Sequence, residues 1–154
     1  MSISYWLMKT EPDTFSISDL YYSPNQTIHW DGVRNYQARN MMRDQMQCGD
    51  LVFLYHSNCA IPGIVGIAEI VREAYPDFTC FDPHSPYFDP KSTPEKPRWF
   101  MVDIKFKNQF PQIISLNELR TYTELSGMPL LRKGNRLSIL PVSVTEWEFI
   151  IACA

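Results

Sequence analysis

The 154-residue sequence predicts an α+β fold, a mixed and mostly antiparallel sheet curled into a small barrel with helices at its periphery. Three observations carry this expectation. Apolar runs of strand length recur along the chain, helix-starting motifs interrupt them irregularly, and neither an internal repeat nor the strand-helix alternation of parallel βαβ units is present. At this length one domain over residues 1–154 is expected, burying about 70% of its unfolded surface. With 45% hydrophobic and 20% charged residues, the chain is excluded from the disordered, collagenous and coiled-coil classes.

The elements follow in order. Residues 5–8 are a short apolar run ahead of Pro12, consistent with a buried first strand. In Ser16-Ile17-Ser18-Asp19 the serine oxygen is placed to accept an amide three residues on while the acid favours the positive end of a helix, so a short helix is predicted over 16–22, ended before Pro24. Ala38, Met42 and Met46 repeat at helical spacing and Asn35, Arg39 and Arg43 share another face, which predicts a helix over 34–47 stopped by Gly49. Residues 51–55 are continuously apolar, as in a strand covered on both faces. A longer strand over 63–74 contains Gly63 and Gly66, where a neighbouring backbone or a ligand can come close.

Between residues 76 and 97 stand six of the twelve prolines, too dense for any regular element. Phe78, Phe81, Tyr87 and Phe88 in that stretch predict a structured flap packed onto the body. Residues 99–107 alternate as a strand, with Phe100, Val102, Ile104 and Phe106 on one side and Trp99, Met101 and three charged residues on the other. Capping boxes at Ser115 and Ser143 predict helices over 115–122 and 143–152, with a strand over 137–140 ended by Pro141.

The net charge of −3 excludes a surface that is everywhere a phosphate-binding field, so any nucleic-acid contact must be local. Two basic stretches stand out. Residues 91–107 carry net +3, and Arg132, Lys133 and Arg136 add three charges within five residues, although a solvated face is the ordinary reading of such runs. Four cysteines without a CxxC pair, and no apolar leader or membrane span, predict a reduced, cytoplasmic protein. No metal-ligand spacing, phosphate-cradling glycine loop or nucleophile elbow is present, so neither cofactor nor metal is expected. A cluster of His84 with Asp82 and Asp89 is conceivable, but Asp-Pro is ordinary turn chemistry.

Short polar residues instead gather beside aromatic ones at strand ends: Lys9, Thr10 and Glu11 after the first strand, Trp30 and Asp31 before a helix, and His56, Ser57 and Asn58 after the buried strand. In a barrel those ends converge on one mouth, an apolar plate ringed by donors and acceptors that suits a planar heterocycle. A base stacked on Trp30 would gain about 1–3 kcal/mol, while Thr10, Asp31 and Asn58 read its edge. Core packing for Trp30 and a surface ion pair for Lys9 and Glu11 are the competing readings.

These residues also carry a resemblance. Tyr5-Trp6-Leu7-Met8-Lys9-Thr10-Glu11-Pro12 is similar to the opening signature of EVE-domain proteins. The similarity continues through Trp30-Asp31-Gly32-Val33-Arg34-Asn35-Tyr36-Gln37-Ala38-Arg39-Asn40, Tyr55-His56-Ser57-Asn58, Gly63-Ile64-Val65-Gly66, Tyr75-Pro76-Asp77, Tyr87-Phe88-Asp89-Pro90-Lys91 and Pro97-Arg98-Trp99, nearly the whole length. The resemblance implies a PUA-like pseudobarrel, shared with PUA, ASCH and YTH domains, and a recognition activity without catalysis: reading a modified base, of 5-methylcytosine type, in DNA or RNA. It makes Trp30 the stacking platform, Lys9, Thr10, Asp31, His56, Ser57 and Asn58 the polar rim, and Tyr87 and Trp99 the far wall. The family usually has serine where this chain has Thr10, so a hydroxyl is kept and a methyl added.

Such a base is reached only when flipped from a duplex or met in a single strand. Arg34, Arg39 and Arg43 on a helix face, with Lys91, Lys96 and Arg98, are then the expected phosphate contacts. Two other readings use the same residues: an enzyme acting on a nucleobase or nucleotide with Asp31 or His56 as general base and Lys9 as an electrostatic group, and a module binding a small metabolite or a protein.

Overall fold

The computed structural model describes residues 3–154. Its first strand, β1 (Tyr5–Thr10), points Trp6 and Met8 into one hydrophobic cluster and Leu7 into another, because neighbouring side chains of a strand leave opposite faces. β3 (Leu51–His56) does the same with Val52 and Leu54 against Phe53 and Tyr55. Both faces are covered, which is why these two runs carry no polar alternation.

Six strands form one sheet in the order β2-β5-β4-β3-β1-β6, where β2 is Thr27–His29, β4 Gly63–Pro76, β5 Phe100–Ser115 and β6 Ile139–Val142. Only β1 and β3 pair in parallel; the other ladders are antiparallel. Among the described residues no ladder joins β2 to β6, so the sheet is a pseudobarrel, curled without closing. The long β4–β5 pair carries register shifts at four places, and each such irregularity bends and twists the ribbon so that it serves both clusters. At Gly63 a side chain would strike the backbone carbonyl of Ile114, and at Gly66 that of Asn108, so both glycines are required by the approach of β5.

One cluster lies under α1 (Ile17–Tyr21) and α2 (Tyr36–Asp44), through Ile17, Leu20, Ala38, Met41 and Met42. The other lies under α3 (Leu116–Leu119) and α4 (Val144–Cys153), where the Trp147 ring stacks on Phe53 at 3.8 Å. The capping boxes at Ser16 and Ser143 are both formed. Ser115 caps α3, which ends after one turn, short of the 115–122 expected.

Several expectations are corrected. The helix expected over 34–47 starts at Tyr36 because Asn35 is its N-cap, accepting from Ala38 N, and Arg34 lies outside it. The strand expected over 99–107 continues to Ser115, with Pro111 falling in the register shift between Gln109 and Ile114, where a missing N–H costs no ladder bond. Met101, assigned by parity to the charged side, is fully buried beside Val102, next to the shift between Arg72 and Tyr75. β6 passes through Pro141, opposite Trp6, which is tolerated on an edge strand. β2, only three residues long, has no periodicity to announce it.

Candidate nucleic-acid interface

Because β1 and β3 run parallel, with Thr10 opposite His56, their carboxyl ends leave the sheet at the same edge. A cavity of about 750 Å³ opens there, within the ~300–1,000 Å³ usual for ligand sites. Lys9, Thr10 and Glu11 form one side, with Ser57 and Asn58 beside them. Phe15, Ile28, Trp30 and Val33 supply apolar wall, and His29, Asp31 and Gly32 come from β2 and the loop after it. Thr14 and Arg34, Tyr87 from the flap, and Arg136 and Ser138 from the approach to β6 complete the lining.

Much of this rim is fixed by internal bonds. Ser57 N donates to Thr10 O at 2.9 Å, Thr10 Oγ1 donates to Phe15 O at 2.8 Å, and Asn58 Nδ2 donates to Glu11 Oε1 at 2.6 Å. Besides the exposed Arg136, two partly buried charged groups have no hydrogen bond among the described residues. Among the described residues the Lys9 ammonium makes no hydrogen bond or ion pair and lies 5.7 Å from the Tyr55 ring centre, while Asp31 meets only His29 Nε2, at 3.7 Å. Burial pulls the Lys9 pKa down. Burial and the neighbouring Asp77 charge push the Asp31 pKa up, against the opposing pull of His29 and Arg34. The site therefore presents a cation and an anion, both partly stripped of water, to one apolar-walled space.

Trp30 is part of the hydrophobic cluster, only 9% exposed, with Phe15 edge-on at 6.3 Å between ring centres and its backbone N donating to Val102 O at 2.8 Å. It forms a wall of the cavity more than a free-standing plate. The loop that follows is locked to the flap by Asp77, whose carboxylate is fully buried. Asp77 Oδ2 accepts from Gly32 N at 2.9 Å and Arg34 Nη1 at 3.0 Å, and Arg34 Nη2 donates to Tyr87 O at 2.8 Å. Gly32 has φ +80° and lies under the Tyr87 ring, so a side chain there is excluded twice over. The flap is indeed structured, but of its named aromatics only Phe81 is half-buried; Phe78, Tyr87 and Phe88 stay exposed, and buried Asp77, Cys80 and Ser92 hold it.

The EVE-domain family model matches residues 4–153. This chain belongs to the EVE-domain family. The EVE domain is 46% identical over 165 residues to thymocyte nuclear protein 1 of Rattus norvegicus, covering 97% of this chain and 73% of that protein. Among solved structures it is similar to a Pseudomonas syringae protein, with TM-score 0.92 and 50% identity over 97% of this chain and 98% of the other. It is similar also to human THYN1 crystallised in complex with 5-methylcytosine-containing DNA, with the same TM-score of 0.92 and 44% identity over 97% and 96% of the two chains.

Of the residues singled out in the sequence of this EVE domain, Lys9, Thr10, Trp30, Asp31, Ser57, Asn58 and Tyr87 meet around the cavity, and Arg34, expected at phosphates, lines it too. His56 and Trp99 are outside its lining. His56 Nε2 accepts from Ile17 N at 3.1 Å, and burial lowers its pKa, which preserves the neutral acceptor needed at the start of α1. Trp99 is buried against Tyr36, with ring centres 4.7 Å apart, and donates from Nε1 to Asp89 Oδ2 at 2.7 Å. The three expected arginines do not form one free face: Arg34 lies outside α2 and is bound to Asp77, Arg39 donates to Arg98 O at 2.8 Å and to Asn40, and Arg43 pairs on the exposed surface with the adjacent Asp44 at 2.8 Å. Lys91 and Lys96 are exposed on the flap, and Arg98 is half-buried. The Asp82 and Asp89 carboxylates serve turns, accepting from His84 N and Lys91 N. Sequence reasoning missed Thr14, Phe15, Ile28, His29, Val33, Arg136 and Ser138 as lining residues; of these Val33, inside the block that resembles the family, and Arg136, in a basic run, carried a signal.

Proposed function

We propose that this EVE domain is a non-enzymatic reader that binds DNA carrying a 5-methylcytosine-type base and takes that base, flipped out of the helix, into the cavity. The observation that carries the reading is that two partly buried side chains of opposite charge, Lys9 and Asp31, neither of them hydrogen-bonded among the described residues, share one apolar-walled space at the edge where β1 and β3 end. The DNA complex of human THYN1, 44% identical to this chain, supports the choice of ligand. A carboxylate accepts from the exocyclic amino group of cytosine; an ammonium donates to the carbonyl oxygen and ring nitrogen of the same edge. Asp31 and Lys9 take these two roles. Phe15, Ile28, Val33 and the edge of Trp30 supply apolar surface for the 5-methyl group, which is worth about 0.8 kcal/mol, or roughly fourfold in affinity.

The test is an anisotropy titration of oligonucleotides differing in one methyl group, as duplex DNA, single-stranded DNA and RNA, with a 2-aminopurine reporter beside the mark for base extrusion. Methylated DNA is expected to bind several-fold tighter than unmethylated, and Asp31→Asn and Lys9→Met each to weaken it by about 1–3 kcal/mol, roughly 5- to 150-fold. Equal affinity for marked and unmarked DNA, or release of an altered nucleoside on incubation, overturns the reading.

A further inference from the structure

Arg34 and Arg39 are bound to distant parts of the chain, and Arg43 pairs on the surface with the adjacent Asp44. Besides Lys91 and Lys96 on the flap, a run of positive charge lies unengaged on the approach to β6. Arg132, Lys133 and Arg136 are exposed, and among the described residues none of their side chains makes a hydrogen bond or ion pair. From Ser126 to Thr145 the chain contains no acidic residue. The loop is nevertheless held in shape: Asn135 N donates to Arg132 O at 3.2 Å, Asn135 Nδ2 to Pro129 O at 2.9 Å and Leu137 N to Asn135 Oδ1 at 3.0 Å, with Gly134 at φ +80° making the turn. Its far end is tied to the site, since Lys9 N donates to Ser138 O at 2.8 Å and Arg136 and Ser138 both line the cavity.

From this placement we infer that Arg132, Lys133 and Arg136 are a phosphate clamp, gripping the sugar-phosphate backbone that flanks the base held in the cavity. The inference rests on the reading of the cavity as a base-binding site. A phosphodiester suits the loop because its cations are uncompensated, exposed and preset by the Asn135 hydrogen bonds, so little ordering is needed on binding. Backbone contacts position the strand without reading sequence, leaving discrimination to Lys9 and Asp31.

Each cation that neutralises a phosphate adds about 0.9 to the slope of log affinity against log salt on duplex DNA. The experiment titrates the full chain, an Arg132→Ala/Lys133→Ala/Arg136→Ala variant and an Arg43→Ala control with methylated and unmethylated duplexes across about 50–200 mM salt, after circular dichroism has matched their folds. The triple variant is expected to lose about 2–3 units of slope and to weaken on both duplexes in proportion, while Arg43→Ala keeps the parent slope. If the parent prefers methylated DNA and the triple variant keeps the full slope, the clamp is refuted alone. If the slope falls but the parent shows no methyl preference, the clamp stands and the base-reading is refuted. Absence of salt-dependent affinity in the parent refutes both.

Discussion

Replacing Asp77 by alanine is expected to loosen flap and cavity together. Its buried carboxylate accepts four hydrogen bonds: from Gly32 N and Arg34 Nη1 on Oδ2, and on Oδ1 from Thr79 N at 2.9 Å and Thr79 Oγ1 at 2.5 Å. Breaking one partner of a buried ion pair costs about 3–5 kcal/mol because the other charge is stranded. Arg34 keeps acceptors at Tyr87 O and Val33 O and its side chain is 23% exposed, which places the cost at the lower end, about 3 kcal/mol or roughly 150-fold in the folding constant. A domain stable by ~5–15 kcal/mol survives that loss. Urea unfolding measures it, and hydrogen exchange of the amides in 77–98 locates it. Asp77→Asn is the sharper variant: it preserves volume and still accepts from Thr79, yet it turns an NH₂ group toward the Gly32 and Arg34 donors. It should therefore cost nearly as much as alanine. A loss under about 1 kcal/mol in either variant, or unchanged flap exchange, refutes the role assigned to Asp77.

Three further outcomes are expected. Burial tends to raise the Asp77 pKa, but hydrogen bonds from Thr79, Gly32 and Arg34 prevail and hold it below the usual aspartate value. Its stabilisation is therefore complete above about pH 3.9 and lost as pH falls through the lower folded value, so urea midpoints below pH 5 should fall less steeply in Asp77→Asn than in the parent. Trp30→Ala should cost about 3–5 kcal/mol in urea unfolding because the indole is core, whereas Asp31→Asn should change stability by under about 1 kcal/mol; only the latter can isolate a binding role. Gly32→Ala places a Cβ 2.7 Å from Tyr87 Cζ at φ +80°, which should cost at least about 1–2 kcal/mol. Adding Tyr87→Ala should recover the clash but not the backbone part, read as a coupling in a double-mutant cycle.

Much of the fold was legible where one residue acts on another a few positions away. Ser16, Ser115 and Ser143 announce α1, α3 and α4 because a capping oxygen reaches only its own first turn. The unbroken apolar runs of β1 and β3 report two covered faces directly. Parity failed at Met101 because β4 and β5 shift register beside it, and a shift of pairing leaves no mark in the strand's own periodicity. Half of the site was legible because Lys9 and Thr10 end β1, and Ser57 and Asn58 follow β3, strands whose ends were expected to converge. His56 and Trp99 were misplaced because a polar ring beside the site and one inside it look alike until its hydrogen-bond partner, Ile17 N or Asp89, is known.

The amino-acid sequence by itself determined the strands, the helix starts, the α+β class, and the polar and aromatic residues gathered at strand ends. Its resemblance to EVE domains reached the family and the pseudobarrel, both of which the comparisons bear out. Only the tertiary structure decided which charges are free. Arg34 and Asp77 stand 43 positions apart, Arg39 and the Arg98 carbonyl 59, and those pairings engage two arginines while, among the described residues, Lys9, Asp31 and the cations of the 132–136 loop have no hydrogen bond. A charge is counted from composition, but its availability depends on whether a distant chain segment brings it a partner, and that is settled only when the chain closes on itself.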